Sequence, residues 1–372
     1  MKNIFIKVSL TIAVICCAAS CIYEVTPQGG SQTQAQVSAS ESALKAMIKA
    51  FGPTMFTSGV GGYASGYGDH TDFGYPAIAL RLEHMLEDMA TMADNPYYNR
   101  FYAYDMNQGQ GSQYTYCAYF WDLYYGWIRL ANDVIASIKP VVEADPEADA
   151  ELNHILGQAY AYRAMCYLDM ARLYEPKAND YTDIRKVVGL TVPIVDENTT
   201  IEQCKNNPRV DRATIYKFIF DDLDRAVNLL DSSLKTYSDP TLMAVYGMYA
   251  RAYIELGYSD DPAYPGRQSF EKAAEYARKV IDESGKTPLT QAQWEDPVTG
   301  FNSAASNNAW IWGISVSAES LNNLLSFISH MSAEAAWGYA RYAQFGVSSA
   351  LYDMIPEADW RKHSWLDPEK TD

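Results

Sequence analysis

Apolar residues along this chain recur mostly at spacings of three and four, with few alternating runs, so the pattern predicts helices joined by irregular, Tyr- and Gly-rich loops. A first helix is expected from Ser40 to Phe51 and a second from Ala77 to Thr91, where Ile78, Leu82, Met85 and Met89 share a face. Between them GGYASGYGDHTDFGYP reads as loop. From Tyr116 to Lys139, Phe120, Leu123, Trp127, Leu130 and Val134 line one side, while Trp121, Tyr124, Ile128 and Ile135 line the next. A helix apolar all round belongs in a core. Pro140 and the acidic turn Glu143 to Asp149 should end it, and a long helix from Glu151 to Tyr174 should return as its antiparallel partner.

In that returning helix, Leu156-Gly157-x2-Tyr160 matches the front of a tetratricopeptide repeat, where a small residue admits the partner helix. DRATIYKFIFDDLDRAVNLLD and RQSFEKAAEYARKVIDES carry the large-then-small spacing of a second repeat helix, as Leu223-x2-Ala226 and Phe270-x2-Ala273. TLMAVYGMYARAYIELG supplies another first helix between them. The expected fold is therefore mainly α, a degenerate tetratricopeptide-like stack with long loop insertions and a few short strands. The longest insertion runs from Glu175 to Arg209. Within it Gly189 to Val195 is expected to form a short edge strand that tolerates Pro193, and Trp310 and Trp312 should sit in a half-buried strand.

The N-terminus changes the picture. Lys2 and Lys7 precede an apolar run from Val8 to Ala19, then small residues and Cys21, the order of a signal peptide over residues 1–20. The run is shorter than the roughly 18 residues that a membrane span requires. Cys16 and Cys17 lie inside the apolar run, so Cys21 alone has the small neighbours of a lipobox and is the expected lipidation site, with ordinary cleavage near Ala19 as the alternative. Residues 21–38, rich in Gln, Gly, Ser and Thr, read as a flexible tether, and 39–372 as the helical domain. Loss of Lys2 and Lys7 takes the formal charge from −17 to −19, which disfavours nucleic acid and anionic lipid surfaces as partners. Cys117, Cys166 and Cys204 are too few and too scattered for a disulfide framework.

These features together resemble the SusD/RagB family. QAYAYRAMCYLDMARLYEP is similar to its Arg-Ala-x-x-Tyr…Arg-Leu-Tyr segment through Arg163, Ala164, Tyr167, Arg172, Leu173 and Tyr174, and Val192-Pro193-Ile194 follows. IYKFIFDDLDRAVNLL resembles its next helix through Tyr216, Ile219, Asp222, Leu223 and Ala226, and LYDMIPEADWRK carries an Asp-x-Arg signature as Asp359 and Arg361. The resemblance implies a surface lipoprotein of the Bacteroidetes outer membrane that captures glycans or peptides and caps a SusC-like TonB-dependent transporter. Family members continue past Asp-x-Arg into a second lobe, whereas this chain ends at Asp372, so the resemblance also implies that a C-terminal part is missing.

Candidate chemistry lies in aromatic loops. From Tyr97 to Trp127, 13 of 31 residues are Phe, Tyr or Trp, against 13% in the whole chain; part of this is the core helix, but the loop portion NPYYNRFYAYDMNQGQGSQY cannot bury every ring. Exposed rings stack on the C–H faces of sugars. Tyr98, Asn99, Tyr102, Trp337 and Tyr339 are the leading ligand residues, followed by Tyr67 and Asp69, with the alternative that the rings only pin loops to the scaffold. Glu83, Glu87 and Asp88 could suggest a glycosidase pair, but carboxylates at that helical spacing usually form a solvated face. His84 has no second ligand at metal spacing, and no HExxH, phosphate-binding loop, GxSxG or Cys-His signature occurs, so neither catalytic residues nor a metal or cofactor are expected.

Overall fold

The computed structural model describes residues 40–56, 71–86, 88–91, 97–98, 115–145, 149–178, 180, 183–233, 237–301, 303–314, 325–332 and 338–365. Its principal helices are α1 (Glu41–Phe56), α2 (Tyr75–His84), α3 (Thr115–Ala144), α4 (Ala150–Tyr174), α5 (Ile201–Cys204), α6 (Arg212–Leu229), α7 (Leu242–Gly257) and α8 (Gly266–Glu283). Their starts are written in the sequence. Asp149 accepts from the amides of Glu151 and Leu152 at 2.8 and 3.1 Å, Asp211 from Thr214 at 2.7 Å, and Thr241 from Ala244, each meeting donors that a helix start leaves open.

α3 packs along α4, α4 along α6, and α7 along α8, so the stack of helix pairs expected from the repeat motifs is present. Gly157 is required by this packing. A Cβ there would lie 3.1 Å from Leu230 and 3.2 Å from Leu229, so the end of α6 approaches α4 as closely as the motif suggests. α4 is buried along nearly its whole length, with Leu156, Tyr160, Tyr162 and Tyr167 all in the core. α1 covers it, Phe51 stacking on Tyr162 with 3.9 Å between ring centroids.

Four sequence expectations need correction. The second helix stops at His84, and Met89–Thr91 forms instead a strand, β1, antiparallel to β2 (Phe345–Val347) in a two-stranded sheet. That partner lies more than 250 residues away, so no local pattern announces it. Pro140 does not end α3, which runs on to Ala144. Pro140 is exposed, while Ile138 and Val142 continue the buried stripe and hold the last turn against the core. Gly189 to Val195 makes only one bridge, Leu190 to Asp211. Beyond that bridge Val192 O takes the Val210 amide at 3.3 Å, and the carbonyls after it are met by side chains: Tyr125 donates to Pro193 O at 2.6 Å, Asn207 to Ile194 O at 2.6 Å, and Asn132 and Tyr167 to Val195 O at 3.0 and 2.9 Å. Satisfied backbone needs no neighbouring strand. Trp310 and Trp312 are half-buried as expected, but in an irregular segment rather than a strand.

Two buried polar networks join the layers. The Arg163 guanidinium, 0% exposed, donates from Nε and Nη2 to both Asp222 oxygens at 2.7 and 2.9 Å, and from Nη1 to Asn132 Oδ1 and Glu197 Oε2, both at 2.7 Å. Burial opposes its charge, yet the Asp222 and Glu197 carboxylates hold its proton more firmly than usual. Glu197 also takes Lys139 Nζ at 2.9 Å. Burial pushes its carboxyl up, but Arg163 and Lys139 overcome this and hold it at about 2. In the second network Asp169 of α4 accepts from Tyr75, Tyr124 and Arg251 at 3.2, 3.2 and 3.1 Å, joining α2, α3 and α7. Beside it Cys166 is a buried free thiol, its ionisation pushed up by burial, whereas Cys204 is exposed. Cys21 and the Cys117 side chain lie outside the described residues.

Arg163→Ala strands the Asp222 carboxylate in the interior, and urea unfolding should show a loss on the order of 3–5 kcal/mol. The double replacement Arg163→Met with Asp222→Leu should recover much of that loss; a double variant as unstable as the single one would remove the charge pair as the cause.

Glu197, with its pKa depressed in the fold, contributes stability that is complete above the ordinary carboxylate value of 4.5 and is lost as pH falls toward about 2. The melting-temperature gap between wild type and Glu197→Gln should therefore close across that window. A gap that stays constant from neutral pH to acid contradicts the assignment.

Candidate functional site

The structure places two of the expected ligand residues together, and inside. Tyr98 is 0% exposed, stacked on His84 at 4.4 Å and hydrogen-bonded through its hydroxyl to His330 Nδ1 at 2.8 Å. Tyr339, at the start of α11 (Tyr339–Tyr342), stacks on the other histidine, His330, at 4.3 Å and meets Tyr97 edge-on at 4.9 Å. His330 lies in α10 (Phe327–Met331) and Phe345 in β2, and Phe73, Leu80 and Leu325 complete this small second core. Neither tyrosine has a free face for a sugar. Their rings anchor distant chain segments to α2, the alternative role weighed for them. Burial lowers the His84 pKa, so its ring is neutral at ordinary pH, with Nδ1 2.7 Å from Leu80 O. Glu83 and Asp88 are exposed, as a solvated face requires. Asn99, Tyr102, Trp337, Tyr67 and Asp69 lie outside the described residues, as does Glu87.

Open rings occur elsewhere. A cleft of about 530 Å³ is lined by Trp294, Phe301, Trp310 and Trp360, together with Pro288, Leu289, Ala309, Ala358, Asp359 and Arg361. The volume falls in the range of small-molecule sites, and the walls are apolar with a few polar groups, as in such sites. Trp294 belongs to α9 (Gln291–Glu295), a single turn held by a reciprocal Thr290–Gln293 capping box. The chain then turns on Asp296, which accepts from the amides of Val298 and Thr299. Gly300 is obligatory here, since a Cβ would collide with the carbonyl oxygens of Gln293 and Asp296. Asn307 donates to Gly300 O and Ser303 O, and Asn308 to Gly285 O, which fixes the loop carrying Trp310.

Trp360 begins a 3-10 turn, Trp360–Trp365, joined to α9 by Trp294 Nε1 donating to Ser364 Oγ at 2.8 Å. Trp310 lines the cleft while Ile311 and Trp312 pack on the core, Trp312 edge-on to Tyr162 at 5.7 Å, so the cleft is braced against the helical stack. Arg361 donates from Nε and Nη2 to the two Asp359 oxygens at 2.8 and 2.5 Å. That pairing holds the Asp359 carboxyl at about 2, so it is ionised at any ordinary pH.

Half-buried rings with open faces, beside a charged hydrogen-bonding pair, can hold a ligand with apolar C–H faces and hydroxyl edges. Sequence reasoning missed this site because its rings lie on separate short segments and none falls in the aromatic-rich stretch. A readable signal was there: tryptophans in polar, non-periodic surroundings, QAQWEDP and EADWRK, have no helix face to fill.

Residues 75–254 match the SusD-like family model described as starch-binding associating with outer membrane. The cleft lies beyond that span. A SusD-like carbohydrate binding protein from Bacteroides vulgatus superposes with a TM-score of 0.66 at 20% identity, over 87% of this chain and 60% of that one. A SusD superfamily protein from Bacteroides thetaiotaomicron gives 0.58 at 16% identity, over 84% and 61%. A putative sugar binding protein from Bacteroides vulgatus gives 0.57 at 20% identity, over 84% and 61%. Identities this low show a shared fold, and the chain spans about 60% of the length of these structures. No curated protein matches the sequence. The matched span, just under half of the chain, contains the Arg163, Tyr167 and Asp222 motifs whose side chains meet in the core, and over that span the chain is similar to the SusD-like family.

Proposed function

We propose that the protein is a cell-surface lipoprotein that binds oligosaccharides and passes them to a TonB-dependent, SusC-like outer-membrane transporter, without cleaving them. The observation that carries the binding role is the cleft of Trp294, Phe301, Trp310 and Trp360 with Asp359 and Arg361. Lipid anchoring rests on Cys21 and the tether after it, and the transporter partner on family resemblance. No helix among the described residues is long and apolar enough to cross a membrane, which fits attachment through a lipid. Asn99, Tyr102 and Trp337 stay in the proposal as ligand residues, with Tyr67 and Asp69 behind them. A peptide ligand is the second reading, since rings and a carboxylate–guanidinium pair also hold peptides.

Two or three rings against sugar faces, at about 1 kcal/mol each, with hydroxyl hydrogen bonds offset by desolvation, imply micromolar to millimolar affinity. Such affinity suits capture followed by release. Trp360→Ala and Trp310→Ala should each weaken oligosaccharide binding by about fivefold to tenfold in calorimetry while leaving the melting temperature within a few degrees. Unchanged affinity in both variants excludes the cleft as the site.

Cys21→Ser should move the protein from the membrane fraction to the soluble one. A variant that still partitions into detergent with the membranes would show that Cys21 is not the anchor.

A further inference from the structure

Each charge lining the cleft already has a partner. Arg361 and Asp359 pair through the two fork hydrogen bonds, which leave Nη1 of the guanidinium outside the pair, and the Arg361 amide adds a third to Asp359 Oδ1 at 3.1 Å. The next cation, Lys362, pairs with Glu357 and lies over the Tyr352 ring at 4.8 Å. These pairs cancel. Glu295 and Asp296 follow Trp294 directly in the sequence, on a chain with formal charge −17. A carboxylate or sulfate entering the cleft would find one cation among the residues lining it, Arg361, whose charge Asp359 already offsets, and taking over its fork would cost Asp359 that partner.

Ring geometry narrows the ligand further. Trp294 meets Trp360 at 68° and Phe301 at 54°, and Phe301 meets Trp310 at 53°. Walls at such angles form a corner. A flat face of packed chains needs coplanar rings, whereas a corner touches one chain on two sides. The Asp359 lone pairs outside the fork can accept sugar hydroxyls, and Arg361 Nη1 can donate to them.

Resting on the glycan reading above, we infer that the cleft selects single, soluble, uncharged oligosaccharide chains and rejects uronic or sulfated sugars and insoluble polysaccharide surfaces. The test uses the full chain on an array of neutral, uronic and sulfated oligosaccharides, followed by calorimetry of the best neutral binder against hexagalacturonate, with sedimentation on microcrystalline cellulose. The neutral chain should bind at least about tenfold tighter than hexagalacturonate at low salt, with the gap narrowing as salt screens the repulsion. Asp359→Asn frees the guanidinium and should strengthen hexagalacturonate binding by about threefold or more, with a melting curve confirming the fold. The salt series on unmodified protein carries the same information should that variant not fold. Acidic sugars bound as tightly as neutral ones, or cellulose retained in preference to soluble chains, overturn the inference and leave glycan binding intact. Binding to none of the array, or neutral binding indifferent to Trp360→Ala, overturns the glycan reading and the inference with it.

Discussion

Arg163 brings a full positive charge into the interior of a helical stack, where an isolated ion is prohibitively unfavourable, and everything around it is arranged to make that tolerable. Asp222 arrives from α6, Asn132 from α3, and Glu197 from the long insertion, which Lys139 draws down from outside. A charge that must be met from three directions specifies which elements neighbour which, and in what register. The Tyr167 hydroxyl one turn on adds to this, donating to Val195 O and accepting from Val195 N. The motif residues Arg163, Tyr167 and Asp222 thus form one structural unit in the core, whereas Asp359 and Arg361 of the last motif line the cleft.

The same economy governs the aromatic residues. Tyrosines within the stack find partners for both body and tip: Tyr75 and Tyr124 on Asp169, Tyr125 on Pro193 O, and Tyr249 on Asp224. Along α7 and α8, Tyr249 and Tyr276 stack at 4.5 Å and join Tyr253 and Phe220 in a ladder between the repeats. Rings of another kind lie on α9, the 300–310 segment and the turn after Asp359, where the scaffold supplies a brace through Trp312.

Two interior histidines mark the other place where distant segments meet. His84 and His330 each cover a tyrosine face, and β1 and β2 close the arrangement with one short antiparallel pairing. A sheet of two three-residue strands has little stability alone, so it persists because the cluster beneath it is buried. The chain's N-terminal third and its last described segment are held together there.

Helical class, the paired repeats and most helix boundaries were legible in the sequence, because three- and four-residue periodicity, caps such as Asp149 and Asp211, and the small Gly157 act over one or two turns. Interactions of that range leave their pattern in neighbouring residues. The sequence also determined the acidic charge and the motif order that marks the family. Tertiary structure decided what required distant partners: β1 forming where a helix pattern continues, α3 passing Pro140, and the 189–195 backbone taking side-chain donors in place of a strand. It also decided which rings stay open. Tyr98 and Trp294 look alike as aromatic residues in polar segments, and only the approach of His330 to one, and of Trp360 with Ser364 to the other, makes the first a buried staple and the second the wall of a cleft. Exposure is a property of what packs against a ring, and residues more than sixty positions away in the chain supply it.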